Sequence, residues 1–218
     1  MEFSRFFEMK YGIEYLKYFH DDAAYSWNYD EFNELITKWD EFQHVLGTQR
    51  LHFAMLGQDQ SNESLLIKIS SVPVNELFES FLDKMNKILD KSEVESLLTQ
   101  KLGMNFTNLM IVAWKLNRHN VELYWNLTEK TLNWKDQKQL LMAENIVPSN
   151  AFPYATCNQD PDAFVFMKDI YERFFNRTEI QEFILKTQDE VLSFVYSVIS
   201  SSSLETAKEV AKYLAKLF

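Results

Sequence analysis

Residues 121 to 127 read VELYWNL, and in this run Val121, Leu123, Trp125 and Leu127 alternate with Glu122, Tyr124 and Asn126. Alternation with period two sends successive side chains to opposite faces of an extended chain, so the spacing predicts a strand with one apolar face and one face of acid, phenol and amide. The strand passes almost without a turn into the helix pattern LNWKDQKQLLMAENI. An apolar strand face followed at once by a helix calls for the helix to cover that face.

The same order recurs along the chain. QRLHFAML and SLLIKISS, segments 49–57 and 63–71, read as a hairpin, and VNELFESFLDKMNKILDK then places Leu77, Phe78, Phe81, Met85 and Ile88 on one helical stripe. After a shorter helix around VESLLTQKLG come TNLMIVAWKL (107–116), the turn NRHN, VELYWNL within 120–127, and a helix again. A weaker round follows in AFPYATC and AFVF, separated by NQDPD, with the helix MKDIYERFFNRTEIQEFILK behind them. EVLSFVYSVIS supplies a last strand over 190–199, and SSLETAKEVAKYLAKLF a last helix whose Ser202 and Glu205 fit a capping box. Two amphipathic helices, within 2–20 and in YDEFNELITKWDEFQHVL, precede all of this. The order is αα, then ββα three times, then βα, with a recurrence of roughly 50 residues. It predicts one α+β domain over residues 1–218, built of repeated helix and hairpin units. The antiparallel sheet either closes into a small β-barrel with the helices outside and a polar lumen, or stays open with its polar face in solvent.

Composition removes several function classes. Hydrophobic residues make up 46% and aromatics 15%, enough for a continuous core, and only 4 Gly leave little material for a glycine-built phosphate loop. A net charge of −10 argues against nucleic acid and anionic membrane as partners, so any bound anion needs a local basic cluster. Lys68, Lys115 and Arg118 are the bases best placed for one. The single cysteine, Cys157, excludes an intrachain disulfide and a thiolate-rich metal site, the pattern of a reducing compartment. The opening MEFSRFFEMKYGIEYL has no uninterrupted apolar run, and no stretch reaches membrane-spanning length. These features predict a cytoplasmic protein with no membrane span.

VELYWNLTEKTLNWKDQKQLL, with IVPSN after it, resembles a strand and helix of the ABBA aromatic prenyltransferases, soluble barrel enzymes made of repeated α-β-β-α units. Val121, Leu123, Tyr124 and Trp125 match the family run, and Glu122 stands where the family has Asn. FPYAT places Tyr154 at a diphosphate-contacting tyrosine, and FVYSVISSSSLETAK places Lys208 near a diphosphate-binding lysine. AFVF has Ala163 where the family has Arg. The resemblance implies a reduced barrel that binds an aromatic or hydrophobic small molecule in its lumen and, if catalytic, transfers a prenyl group to it from a prenyl diphosphate. Lys68, Trp114, Lys115, Glu122, Tyr124, Asn126, Tyr154 and Tyr196 are then the substrate-binding residues, with Tyr124 and Tyr154 facing one cavity near Lys68 or Lys115. Glu122 in that lumen would be hydrated, protonated or paired with one of these lysines. A Mg²⁺ ion accompanying the diphosphate is the one cofactor this reading admits.

The competing reading is a non-catalytic acidic interaction protein whose polar face and acidic helices contact a partner protein. Other motifs add little chemistry. Asp21 and Asp22 in FHDDAAYSW lack the third acid of a Mg²⁺-diphosphate motif, because Tyr25 stands there. His20, His44, His52 and His119 lack metal-ligand spacing, and Cys157 reads as a small buried hydrophobe. Ser200 to Ser203 form no nucleophile elbow.

Overall fold

The computed structural model describes residues 36–46, 64–70, 75–101, 105–144, 150–185 and 202–218, together with isolated positions between 33 and 56. Eleven helices occupy the described residues: α1 (Trp39–Leu46), α2 (Leu65–Ser70), α3 (Asn75–Ile88), α4 (Lys91–Thr99), α5 (Asn108–Lys115), α6 (Arg118–Thr131), α7 (Trp134–Met142), α8 (Ala151–Thr156), α9 (Pro161–Phe174), α10 (Arg177–Leu185) and α11 (Leu204–Leu217). No strand runs through them: Lys101 pairs with Thr107 in an isolated antiparallel bridge, and Ser64 lies at a further isolated bridge position. The α+β sheet or β-barrel expected from the sequence is therefore corrected to a mostly helical fold, with no strand among the described residues. SLLIKISS, TNLMIVAWKL and VELYWNL hold α2, α5 and part of α6, and AFPYATC holds α8. The expected strand over 190–199 lies outside the described residues, as does most of 49–57.

A recurrence does exist, but its unit is three helices and its period is 43 residues. The 14-residue helices α3, α6, α9 and α11 begin at Asn75, Arg118, Pro161 and Leu204, 43 positions apart each time. The nine-residue helices α4, α7 and α10 begin at Lys91, Trp134 and Arg177, and the short α2, α5 and α8 at Leu65, Asn108 and Ala151, again 43 apart. Long helix packs on long helix in the order α3, α6, α9, α11, and short on short in the order α2, α5, α8. Such a stack is quasi-one-dimensional, since each unit is held mainly by its neighbours.

The eight helices α4 to α11 each start where a side chain satisfies a first-turn N–H group. Asn117, Asp160 and Ser203 cap α6, α9 and α11, each accepting from a backbone N–H of the first turn. Ser203, one residue later than the expected Ser202, does this for α11, with Thr206 rather than Glu205 as its side-chain partner. Asp90 and Asn133 cap α4 and α7, while Asn176 accepts from the Glu179 N–H as the Glu179 carboxylate takes the Asn176 N–H. Thr107 and Asn150 cap α5 and α8. Pro153 fits the first turn of α8, where its missing N–H is not required by the helix.

The strand reading of α6 failed for a local reason. Its buried residues are Asn120, Val121, Tyr124, Trp125, Leu127, Thr128 and Thr131, spaced at three and four. Three of them are polar, so in a seven-residue window the stripe is disguised and Leu123 and Leu127 supply a false alternation. In α5 the cause is burial on most sides: Asn108, Leu109, Met110, Val112 and Ala113 are all buried, which leaves too narrow a polar face to reveal the helical period.

Candidate interaction surface

The short helices place the most unusual exposed chemistry. α5 and α8 pack closely along the short-helix layer. Asn158, almost fully buried just after α8, holds them in register: its amide nitrogen donates to the Ala113 carbonyl at 2.8 Å and to the Leu116 carbonyl at 2.7 Å, and its oxygen accepts the Asp160 N–H at 2.8 Å. Two carbonyls at the C-terminal end of α5 are thereby satisfied. Asp160 extends the lock, because one carboxylate oxygen accepts the Arg118 N–H at the start of α6, at 2.7 Å, and the other caps α9 through the Asp162 N–H. A carboxylate between two helix N-termini is favoured by both dipoles.

On this rigid pair sits a partly exposed aromatic group. Phe106 precedes the cap of α5, and the preceding residue, Asn105, has φ 60°, a left-handed conformation that asparagine tolerates. The Tyr154 ring from α8 lies 5.4 Å from that of Phe106 and 6.2 Å from that of Trp114. Trp114 is 38% exposed, and the Lys115 ammonium lies 3.6 Å over its ring. Cys157 is half-buried one turn beyond Tyr154, and burial pushes its thiol above the ordinary range, leaving it protonated and a poor nucleophile.

Trp114, Lys115 and Tyr154, three of the substrate-binding residues expected from the sequence, thus come together, on a surface rather than in a lumen. The others do not join them. Tyr124 is fully buried in the core with its hydroxyl 3.4 Å from the Leu98 carbonyl, and burial raises its pKa. Glu122 is half-exposed on another face of α6, with Arg118 at 3.7 Å as its ion-pair partner in place of Lys68 or Lys115. Asn126, one turn further along α6, is exposed. Two residues along a helix is a rotation of about 200°, so Glu122 and Tyr124 point apart instead of sharing a face as on a strand. Lys68 belongs to α2, Ala163 is buried in α9, Lys208 lies on α11, and Tyr196, Asp21 and Asp22 fall outside the described residues. The expected cavity shared by Tyr124 and Tyr154 is replaced by a helical core under one ring and a surface around the other.

Sequence reading missed Phe106, Asn158 and Asp160. A turn reading of NQDPD hid the fact that Asp160 begins a helix, although aspartate followed by Pro161 is an ordinary helix start. Among the described residues no group of three or more histidine, cysteine or acidic side chains could hold a metal ion, and no helix is long and apolar enough to cross a membrane.

No family model, curated protein or solved structure matches the chain. Function rests on the geometry alone.

Proposed function

We propose that this protein is a non-catalytic interaction scaffold, an acidic helical array that presents its short-helix layer to a partner protein. The observation that carries the reading is the partly exposed Phe106, Trp114 and Tyr154 group, with Lys115 over the indole, on two helices that Asn158 locks together. Tryptophan and tyrosine held rigidly at a surface lose little conformational entropy on binding and dominate interface energetics. A stack of units that repeat the same helix lengths at a fixed spacing gives an extended face of the kind used to bind proteins. The chain carries −10, so a partner with a basic surface is drawn to it at long range, while the aromatic group supplies contact energy.

The test is a photo-crosslinking amino acid in place of Tyr154 in the full chain, expressed in the source cell. The expected result is a discrete protein adduct that Trp114→Ala abolishes with the melting temperature unchanged. No protein adduct, or one indifferent to Trp114→Ala, overturns the proposal.

A further inference from the structure

The junction between α9, α10 and α11 carries an open groove of about 600 Å³. Its counterpart 43 residues earlier, between α6, α7 and α9, is filled. There Trp134 stacks on Phe174 at 3.8 Å, Trp125 meets Phe174 edge-on at 5.9 Å, and Arg173 pairs with Glu129 at 2.9 Å. At the later junction the residues standing for Trp125, Trp134, Phe174, Glu129 and Arg173 are Lys168, Arg177, Leu217, Glu172 and Lys216, and all five line the groove. Two indoles and a phenyl ring have become two cations and a leucine. Those three rings are gone, although Phe164, Phe175 and Tyr213 still line the walls, and the charge at these positions is opposite in sign to that of the chain as a whole.

The groove's walls remain apolar where Phe164, Phe175 and Ile180 border it, so an apolar group entering it finds buried carbon to contact. Four cations line it, Lys168, Arg177, Lys212 and Lys216, against two acids, Glu172 and Glu209, in a protein whose net charge is −10. Lys212 pairs with Glu209 at 2.6 Å and Lys168 with Asp169 at 2.8 Å, while Arg177 donates to the Leu217 carbonyl at 2.6 Å. Lys216 makes no ion pair among the described residues and is exposed.

We infer that this groove is a docking site for an acidic peptide segment bearing an aromatic side chain, the ring entering where the neighbouring junction keeps its own tryptophans and the flanking carboxylates meeting Lys212 and Lys216. The occupant is of opposite charge to the one proposed for the aromatic surface, so the two sites take different partners. The inference does not rest on that earlier proposal.

A display library of random 12-residue peptides selected on the full chain tests it. The expected binders carry Trp, Phe or Tyr flanked by Asp or Glu. A fluorescein-labelled synthetic copy of the most enriched one should lose at least ten-fold in affinity by anisotropy with Lys212→Glu and Lys216→Glu combined, two exposed positions whose change should leave the melting temperature unaltered. Lys168→Trp, which restores the ring of the earlier junction, should block the groove and reduce binding similarly. Trp114→Ala combined with Tyr154→Ala should leave binding intact. Failure to enrich any peptide, enrichment of basic or non-aromatic peptides, or binding lost on changing Trp114 and Tyr154 but retained with the charge reversals would each overturn the assignment.

Discussion

Tyr171 and Tyr124 are both fully buried tyrosines on long helices, yet their hydroxyls differ in worth. Tyr171 donates to the Leu141 carbonyl at 2.8 Å and lies 3.3 Å from Asn150 Oδ1, closing the end of α7 against the start of α8. The Tyr124 contact to Leu98 is stretched to 3.4 Å. Tyr171→Phe should therefore cost about 1.5 kcal/mol in urea unfolding and Tyr124→Phe no more than about 0.5. Equal losses would show that distance does not rank these bonds. Burial lifts both phenols above their ordinary value, so they stay protonated in the fold and ionise more readily in the unfolded chain. Stability from this source is complete below about pH 10 and declines as pH rises beyond it. Tyrosinate absorbance from these two rings should appear only together with loss of helical signal. Asn158→Ala removes the one amide that serves two buried carbonyls, and a loss of about 2 kcal/mol or more is expected from the same urea titrations.

Helix ends are the best-specified features at the scale of elements. Asp90, Asn133 and Asn176 stand 43 residues apart, as do Asn117, Asp160 and Ser203, and as do Thr107 and Asn150. Each series is legible in the sequence as a cap-forming residue at a fixed period, a signal stronger than the apolar pattern between them. Asn133→Ala should cost about 1 kcal/mol, because two first-turn N–H groups of α7, those of Lys135 and Asp136, lose their acceptor. A change within about 0.2 kcal/mol would mean that solvent replaces this cap freely. The apolar content of α3, α4, α7, α10 and α11 was equally readable, since each keeps a polar face. α5, α6 and α8 were not, because they lie between neighbouring units and bury polar Asn108, Asn120, Thr128 and Thr156 along with their apolar residues.

Over the whole molecule, units that contact mainly their neighbours make stability a sum of local terms. Deleting residues 203–218 removes α11 and uncovers its contacts on α9, while the contacts of α6 with α3 and α4 are untouched. The truncated chain should melt several degrees lower yet keep a helical far-UV spectrum with mean residue ellipticity within about a tenth of the full chain's. Complete loss of helix at 25 °C would show that the array folds as one indivisible body. The aromatic surface survives that deletion, whereas the groove loses one wall, so peptide binding there should disappear.

The sequence by itself determined where helices such as α3, α7 and α11 begin, how much apolar surface must be covered, that the net charge is −10 and that a single cysteine offers no thiolate-rich site. These are local or compositional quantities. A cap acts within one turn, and charge is a count. Tertiary structure alone decided that TNLMIVAWKL and VELYWNL are helices, that Trp114, Lys115 and Tyr154 meet on a surface, and that one junction is filled while the next stands open. The reason is that burial in a stack is imposed by the units on either side. A side chain's exposure then depends on residues 43 positions away, and neither a seven-residue alternation nor a match to scattered motifs can register that distance.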